Sequence, residues 1–123
     1  MAELSPRDVV DAFFAAIAAR DFENARRWLA DDGFSSYSPI ASFDDADAYI
    51  ADISRVGPIL EGLRRRHTVA DGEEVCAVVE YVTHFDRRAI SPVAHWMRVR
   101  KGRIAAIESY FDARAYASLF VAE

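Results

Sequence analysis

The sequence predicts an α+β fold in which three N-terminal helices pack on one face of a curved, mostly antiparallel sheet. Apolar residues recur at helical spacing from the N-terminus to about residue 56, as amphipathic helices require. Beyond that point, long runs rich in β-branched and aromatic residues are separated by tight-turn signals at Asp71-Gly72 and Lys101-Gly102. We expect residues 1–123 to form one domain that ends in a short C-terminal helix.

Capping signals place the starts of the first two helices. Ser5 offers a side-chain oxygen to the free backbone N–H groups of a first turn, and Pro6 suits the first helical position. Asp21 can cap the second helix, which we expect to end at Gly33. The apolar faces of these two helices carry Val9, Val10, Phe13, Phe14, Ile17, Phe22, Ala25, Trp28 and Leu29.

Proline and glycine residues, which break helices and strands, mark the limits of the third helix and of the segments around it. Residues 34–43 (FSSYSPIASF) are typical of a short strand and a loop that Pro39 interrupts. The third helix is predicted from about Asp44 to Gly57-Pro58, a pair that disfavours further helix. Near the C-terminus, Asp112 can cap the last helix over residues 113–120.

The second half of the chain is predicted to form four strands joined by hairpins. They cover residues 60–70, 74–85, 93–100 and 103–111, and residues 86–92 (DRRAISP) are predicted to be a turn. Side chains alternate between the two faces of a strand. Because Arg98 and Arg100 should face outward, His95 and Met97 are expected to face inward and Trp96 outward.

Composition and charge exclude several classes of function. The net charge of −5 argues against a general nucleic-acid partner and against binding to an anionic membrane surface. The single cysteine, Cys76, cannot form a disulfide within the chain, which fits a reducing cytoplasm. The N-terminal sequence has no signal-peptide pattern, and its apolar stretches are too short to span a bilayer. We therefore expect a cytoplasmic protein.

The stretch HWMRVRKGRIAAIESYFD, residues 95–112, resembles the last hairpin of SnoaL-like polyketide cyclases, limonene-epoxide-hydrolase-like enzymes and steroid-isomerase-like proteins. These belong to the nuclear-transport-factor-2-like superfamily, whose order of helices and hairpins the whole chain follows. The resemblance implies a cone-shaped sheet around a pocket, and a homodimer formed through the sheet. It does not imply one reaction, because this fold supports enzymes, binding proteins and transport factors.

His95 and Glu80 are the two candidate catalytic residues. The resemblance places a cavity-facing histidine at His95, although a core histidine bonded to a backbone carbonyl would fit the same position. Glu80 lies among apolar residues, where a buried carboxylate would suit acid–base chemistry. Alternatively, Glu80 points outward and pairs with a nearby arginine. The family register turns Glu80 and Val78 inward, whereas a bulge would turn Tyr81 and Thr83 inward instead.

The remaining candidates are expected to line the pocket. They are Phe14, Ile17, Trp28, Phe34, Tyr37, Tyr49, Ile53, His67, Val78, Met97, Ser109 and Phe111. The resemblance does not extend to the full catalytic residue sets of these enzymes. The Asp–Arg–Asp set of the epoxide hydrolases falls at about Glu80, Val78 and Ser109, and the general-base aspartate of the steroid isomerases falls at Ser38.

These observations favour a pocket protein without a cofactor. The three histidines and Cys76 show no metal-ligand spacing, and no phosphate loop or dinucleotide fingerprint is present. We expect a small, apolar, carbonyl-bearing or polycyclic molecule in the pocket, handled by cyclase-, isomerase- or dehydratase-type acid–base chemistry. A non-catalytic ligand-binding module and a scaffold that dimerises through the outer sheet face are the alternatives.

Overall fold

The computed structural model describes residues 4–116. It contains three α-helices, which are α1 (Pro6–Ala18), α2 (Phe22–Arg27) and α3 (Ala46–Ile53). Two strands lie between α2 and α3, and four follow α3 among the described residues. They are β1 (Ser35–Tyr37), β2 (Ser42–Phe43), β3 (Leu60–Asp71), β4 (Glu74–His84), β5 (Arg88–Arg100) and β6 (Arg103–Tyr110). Short 3₁₀ helices cover Ser54–Ile59 and Ala113–Tyr116. The predicted α+β class is confirmed.

The caps of α1 and α2 are those that the sequence predicts. The Ser5 hydroxyl accepts a hydrogen bond from the backbone N–H of Asp8 at 3.1 Å, and the Asp21 carboxylate accepts one from that of Asn24 at 3.1 Å. The predicted end of α2 is wrong, because the helix stops at Arg27, well before Gly33. Gly33, at a φ of 73°, instead turns the chain toward β1.

The third helix starts two residues later than predicted, at Ala46, and the helical segment does not stop at the glycine-proline pair. Asp45, not Asp44, caps α3 by accepting a hydrogen bond from the backbone N–H of Ala48 at 2.9 Å. After Ile53 the chain tightens into the 3₁₀ helix, which runs through Gly57 and Pro58. Gly57 is required there by packing, since a Cβ at this position would lie 2.9 Å from a ring carbon of Phe22.

The six strands form one curved, unclosed sheet in the order β2-β1-β6-β5-β4-β3. Every pair is antiparallel except β1 with β6, which are parallel. Register shifts occur in β3 at Leu60/Gly62 and Arg65/His67, and between β5 and β6 at Arg98/Val99, where the extra residue is Ala105 of β6; such extra residues bend the strands. The predicted turn over residues 86–92 is too long, because β5 begins at Arg88 and residues 88–92 already pair with β4.

The core lies between the helices and the concave face of the sheet. Helix α1 packs there because its apolar face is continuous with the inward side chains of β4, β5 and β6. The largest fully buried side chains of the core are Phe13, Leu29, Met97, Ile104 and Ile107. Burial of this apolar surface is the main stabilising contribution to the fold.

The described part of the predicted C-terminal helix is one short 3₁₀ turn. Asp112 accepts a hydrogen bond from the backbone N–H of Arg114 at 3.0 Å, as a helix cap does. The helix observed is the 3₁₀ turn Ala113–Tyr116, and the rest of the predicted helix, residues 117–120, lies outside the described residues. Within residues 4–116, no helix is both long and apolar enough to cross a membrane.

Candidate functional site

A mostly apolar cavity of about 150 Å³ opens between the concave face of the sheet and the wall that α3 and its 3₁₀ extension form. A water molecule occupies roughly 30 Å³ in the liquid, so the space suits a small organic molecule. The lining consists of Phe13, Ile17, Phe22, Ser36, Tyr37, Ser38, Ile40, Ala41, Phe43, Tyr49, Asp52, Ile53, Val56, Leu60, Tyr81, Thr83, Val93, His95, Ser109 and Phe111.

Polar groups in this apolar lining converge on His95. The alternation predicted for β5 is observed, and the His95 side chain is 6% exposed on the inward face. Its Nε2 lies 2.7 Å from the Tyr81 hydroxyl, and its Nδ1 lies 2.7 Å from the Ser109 hydroxyl. Both ring nitrogens therefore have hydroxyl partners, and neither bonds to a backbone carbonyl. The Tyr81–His95–Ser109 chain is the most polar structure on the sheet side of the cavity.

His95 is neutral over the physiological range. Burial, with a smaller contribution from the charge of Arg65, lowers the pKa of its imidazole from 6.5 to about 3. A neutral imidazole carries one hydrogen, so it donates to one of its hydroxyl partners and accepts from the other. In one tautomer Nδ1 accepts from Ser109 and Nε2–H donates to Tyr81, and in the other Nδ1–H donates to Ser109 and Nε2 accepts from Tyr81.

Tyr81 reaches this site because β4 has the alternation opposite to the family register. Val75, Ala77 and Val79 are buried, whereas Cys76 is exposed. Ala77 lies opposite His95 in the strand pairing, so odd-numbered residues of β4 share the inward face with His95. Tyr81 and Thr83 consequently line the cavity, as the bulged alternative predicted.

Glu80 lies on the outer face of the sheet and does not line the cavity. Its carboxylate is 3.9 Å from the guanidinium of Arg64 and 3.5 Å from that of Arg66. Arg64 lies directly opposite Glu80 in the strand pairing, and Arg66, two residues further along β3, shares its face. The inward orientation expected for Glu80 is therefore corrected, and the cross-strand ion pair is what the structure shows.

Six of the twelve residues expected to line the pocket do so, and three others lie in the layer behind it. The six are Ile17, Tyr37, Tyr49, Ile53, Ser109 and Phe111. Phe14 packs behind His95 with ring centroids 5.3 Å apart, and Phe34 packs behind Tyr49 at 5.4 Å. Met97 faces inward but is fully buried in the core. Strand parity gives the face of such residues and not their distance from the cavity.

The other three expected lining residues lie away from the cavity. Trp28 packs half-buried against the core at the end of α2. His67 and Val78 are paired across β3 and β4 on the outer face, where His67 is exposed. The inward neighbour of His67 is Arg65, whose guanidinium bonds Asp11 at 2.7 Å and lies 5.0 Å from the centre of the Phe14 ring.

Asp52 is a lining residue that the sequence reasoning missed. It follows Tyr49 by three residues on α3 and precedes Val56 by four, so helical spacing alone places it on the lining face. Its side chain is 25% exposed and forms one contact, at 3.4 Å, with the guanidinium of Arg55. Together with desolvation, its charge raises the pKa of Tyr49. Among the described residues, no group of His, Cys, Asp and Glu could hold a metal ion.

Comparisons with known proteins agree on one family. The family model described as a SnoaL-like domain matches residues 10–107. A search of curated protein sequences found no match. A solved epoxide hydrolase of the limonene-epoxide-hydrolase-like type from M. tuberculosis is 20% identical, with 89% of this chain and 84% of that chain covered and a TM-score of 0.76.

Two further solved structures show the same fold. A candidate polyketide cyclase from Xanthomonas campestris pv. campestris is 19% identical, with 92% of this chain and 94% of that chain covered and a TM-score of 0.74. TerC, co-crystallised with polyporic acid, is 20% identical, with 93% and 96% covered and a TM-score of 0.74. Relatives with this fold therefore include proteins described as enzymes and one crystallised with a small organic molecule.

Proposed function

The chain belongs to the SnoaL-like domain family, and we propose that its cavity binds a small, largely apolar molecule through a carbonyl or similar acceptor oxygen. The observation that carries this proposal is the Tyr81–His95–Ser109 chain at the sheet side of an otherwise apolar cavity. Hydrocarbon walls supply the binding energy, and a few placed polar groups fix the orientation of the ligand.

Tyr81 is the donor that we assign to the ligand oxygen. In the tautomer that carries the hydrogen on Nε2, the imidazole donates to the Tyr81 oxygen and Nδ1 accepts from Ser109. We propose that the phenolic hydroxyl then donates to the ligand oxygen, since a phenol is a stronger acid than an aliphatic alcohol and so the better partner for a carbonyl. Ser109 and His95 act as positioning residues, because their hydrogen bonds hold the Tyr81 hydroxyl at the cavity wall.

The same chain supports an acid–base enzyme. As Tyr81 gives its proton to the substrate oxygen, it takes the Nε2 proton of His95, and Nδ1 takes the Ser109 proton. Ser109 then receives a proton from the substrate, so no buried charge forms. Tyr81 and Ser109 lie on opposite sides of the imidazole, so the substrate atom that gains a proton must be several bonds from the atom that loses one. This spacing favours a conjugated substrate. Glu80, on the outer face, has no part in this chemistry.

A matched pair of probes tests the binding proposal. Acetophenone and ethylbenzene have nearly the same shape, and only acetophenone has a carbonyl. We expect Tyr81→Phe to weaken acetophenone binding about tenfold, the value of one hydrogen bond, and to leave ethylbenzene binding unchanged. Ser109→Ala should also weaken acetophenone binding, but by less than Tyr81→Phe does. Equal affinities of acetophenone for the wild type and Tyr81→Phe would contradict the assignment.

Turnover distinguishes the enzyme from a binding module. Incubation with a conjugated ketone in D₂O should introduce deuterium at carbon in the wild type, at a rate that His95→Gln and Tyr81→Phe both reduce. Binding without deuterium incorporation across a panel of such ketones would favour the non-catalytic alternative.

The outer face of the sheet supports a homodimer as a second proposal. Trp96 and Tyr110 are about half exposed there, beside the apolar side chains of Val78 and Ala94. Arg64 and Arg66 lie at the β3 side of this face, and Glu108 lies at its β6 side. A second copy rotated about an axis along the strands would therefore place opposite charges together. Light scattering tests this arrangement, in which Trp96→Lys should give monomers.

A further inference from the structure

The two ends of the cavity differ in charge. Asp52 lies on the helical wall, and its carboxylate is the only charged side chain among the described lining residues, which include no lysine or arginine. On the sheet side, His95 is neutral and Arg65 lies behind it, close enough to influence its ionisation. Because Arg65 is paired with Asp11, the formal charge that borders the cavity is the carboxylate of Asp52.

Arg55 does not neutralise the Asp52 end. The contact between the two side chains is a single one at 3.4 Å, and the Arg55 side chain is 62% exposed. Ion pairs with an exposed partner are weak because water screens them. Asp52 itself is three-quarters buried at the cavity wall, where a ligand would displace water and strengthen the field of the carboxylate.

Aromatic rings dominate the rest of the lining. Phe13, Phe22, Tyr37, Phe43, Tyr49, Tyr81 and Phe111 line the cavity together with Asp52. Aromatic faces attract organic cations, whereas an anion in the same position would face the Asp52 charge without a compensating base. This combination disfavours carboxylate ligands and suits a molecule with a positively charged nitrogen.

From this arrangement we infer that the ligand carries a protonated amine or another organic cation, which Asp52 binds while the acceptor oxygen lies at Tyr81. The inference rests on the proposed function, because it takes the same cavity as the ligand site and adds the chemical class of the ligand's second end. Asp52 is then a specificity-determining residue outside the Tyr81–His95–Ser109 chain. It selects cations over neutral and anionic molecules of the same shape.

Three probes of equal size test the inference by NMR titration of the folded protein. They are benzylamine, which is protonated at pH 7, benzyl alcohol and benzoate. We expect benzylamine to bind about tenfold more tightly than benzyl alcohol, the value of a hydrogen bond to a charged group, and benzoate to bind most weakly. Backbone resonances of Tyr49 and Asp52 should shift with benzylamine.

Asp52→Asn should abolish the preference for benzylamine and leave benzyl alcohol binding unchanged. Asp47→Asn is the matched control, because Asp47 lies on the same helix and also pairs with an arginine, Arg26, but is exposed outside the cavity. It should keep the preference. Arg55→Gln should increase benzylamine affinity, because Asp52 no longer shares its charge.

The outcomes separate this inference from the proposed function. Benzyl alcohol binding with no preference for benzylamine, or a preference that survives in Asp52→Asn, would overturn the inference and leave the cavity as a ligand site. Binding of none of the probes, acetophenone included, would overturn the proposed function and the inference together.

Discussion

The buried imidazole of His95 makes the stability of the fold depend on pH. Its folded-state pKa of about 3 lies below the ordinary value of 6.5. Between these two values the unfolded chain binds a proton on His95 and the folded protein does not. The contribution of His95 to stability is therefore fully present above pH 6.5 and is lost progressively as the pH falls to about 3.

The size of this effect follows from the pKa difference. Each pKa unit corresponds to about 1.4 kcal/mol, so the difference between 6.5 and about 3 corresponds to about 5 kcal/mol of unfolding free energy. Between pH 7 and pH 4.5 the loss is on the order of 3 kcal/mol. Carboxylates also titrate in this range, so the wild type alone does not isolate the contribution of His95.

Substitution of His95 by Gln isolates it. Glutamine stays neutral at every pH, so the variant lacks the His95 contribution to the pH dependence, although it loses some stability at pH 7. Urea unfolding at pH 7 and pH 4.5 should show that the wild type loses on the order of 3 kcal/mol more than His95→Gln does over this interval.

His67→Gln is the matched control, because it removes an exposed imidazole from the outer face. It should follow the wild type at both pH values. If the wild type and His95→Gln lose equal free energy between pH 7 and pH 4.5, His95 is not held neutral by burial, and the reasoning about its tautomers fails with it.

Three further substitutions test the packing and the assignment of faces. Gly57→Ala should destabilise the fold by about 1–3 kcal/mol, because the new methyl group would meet the Phe22 ring, whereas Gly62→Ala meets open space and should cost less. Met97→Ala should cost about 2–5 kcal/mol in chemical denaturation, since it leaves a cavity in the core. Glu80→Gln should leave acetophenone affinity and turnover unchanged, because its carboxylate lies on the outer face, and a loss of either would contradict that position.

The sequence predicts the facing of β5 correctly and that of β4 incorrectly, for one physical reason. In β5 the charges of Arg98 and Arg100 mark the outer face, so parity fixes His95 as inward. In β4 both faces are apolar, and parity has no charged marker except Glu80. The outward position of Glu80 follows from the pairing of Ala77 with His95, and its partners Arg64 and Arg66 lie on the neighbouring strand, so the local pattern of β4 does not show it.

Strand and helix periodicity predict which face a side chain lies on, but not whether that side chain reaches the cavity. Phe14 and Met97 face inward as predicted, yet both pack in the core beyond the cavity. Asp52 was missed for a different reason, because the apolar pattern of α3 does not mark a charged residue on its inner face. The spacing of Asp52 from Tyr49 and Val56 places it on that face, and a polar residue on an otherwise apolar helix face is a signal for a site.

The most direct test of the account is the ¹³C resonance of carbonyl-labelled acetophenone bound to the protein. A hydrogen bond from Tyr81 withdraws electron density from the carbonyl carbon. The bound resonance should therefore lie downfield in the wild type and return toward its value in an apolar solvent in Tyr81→Phe. A bound carbonyl resonance that is the same in the two proteins would contradict the claim that the Tyr81–His95–Ser109 chain recognises the ligand.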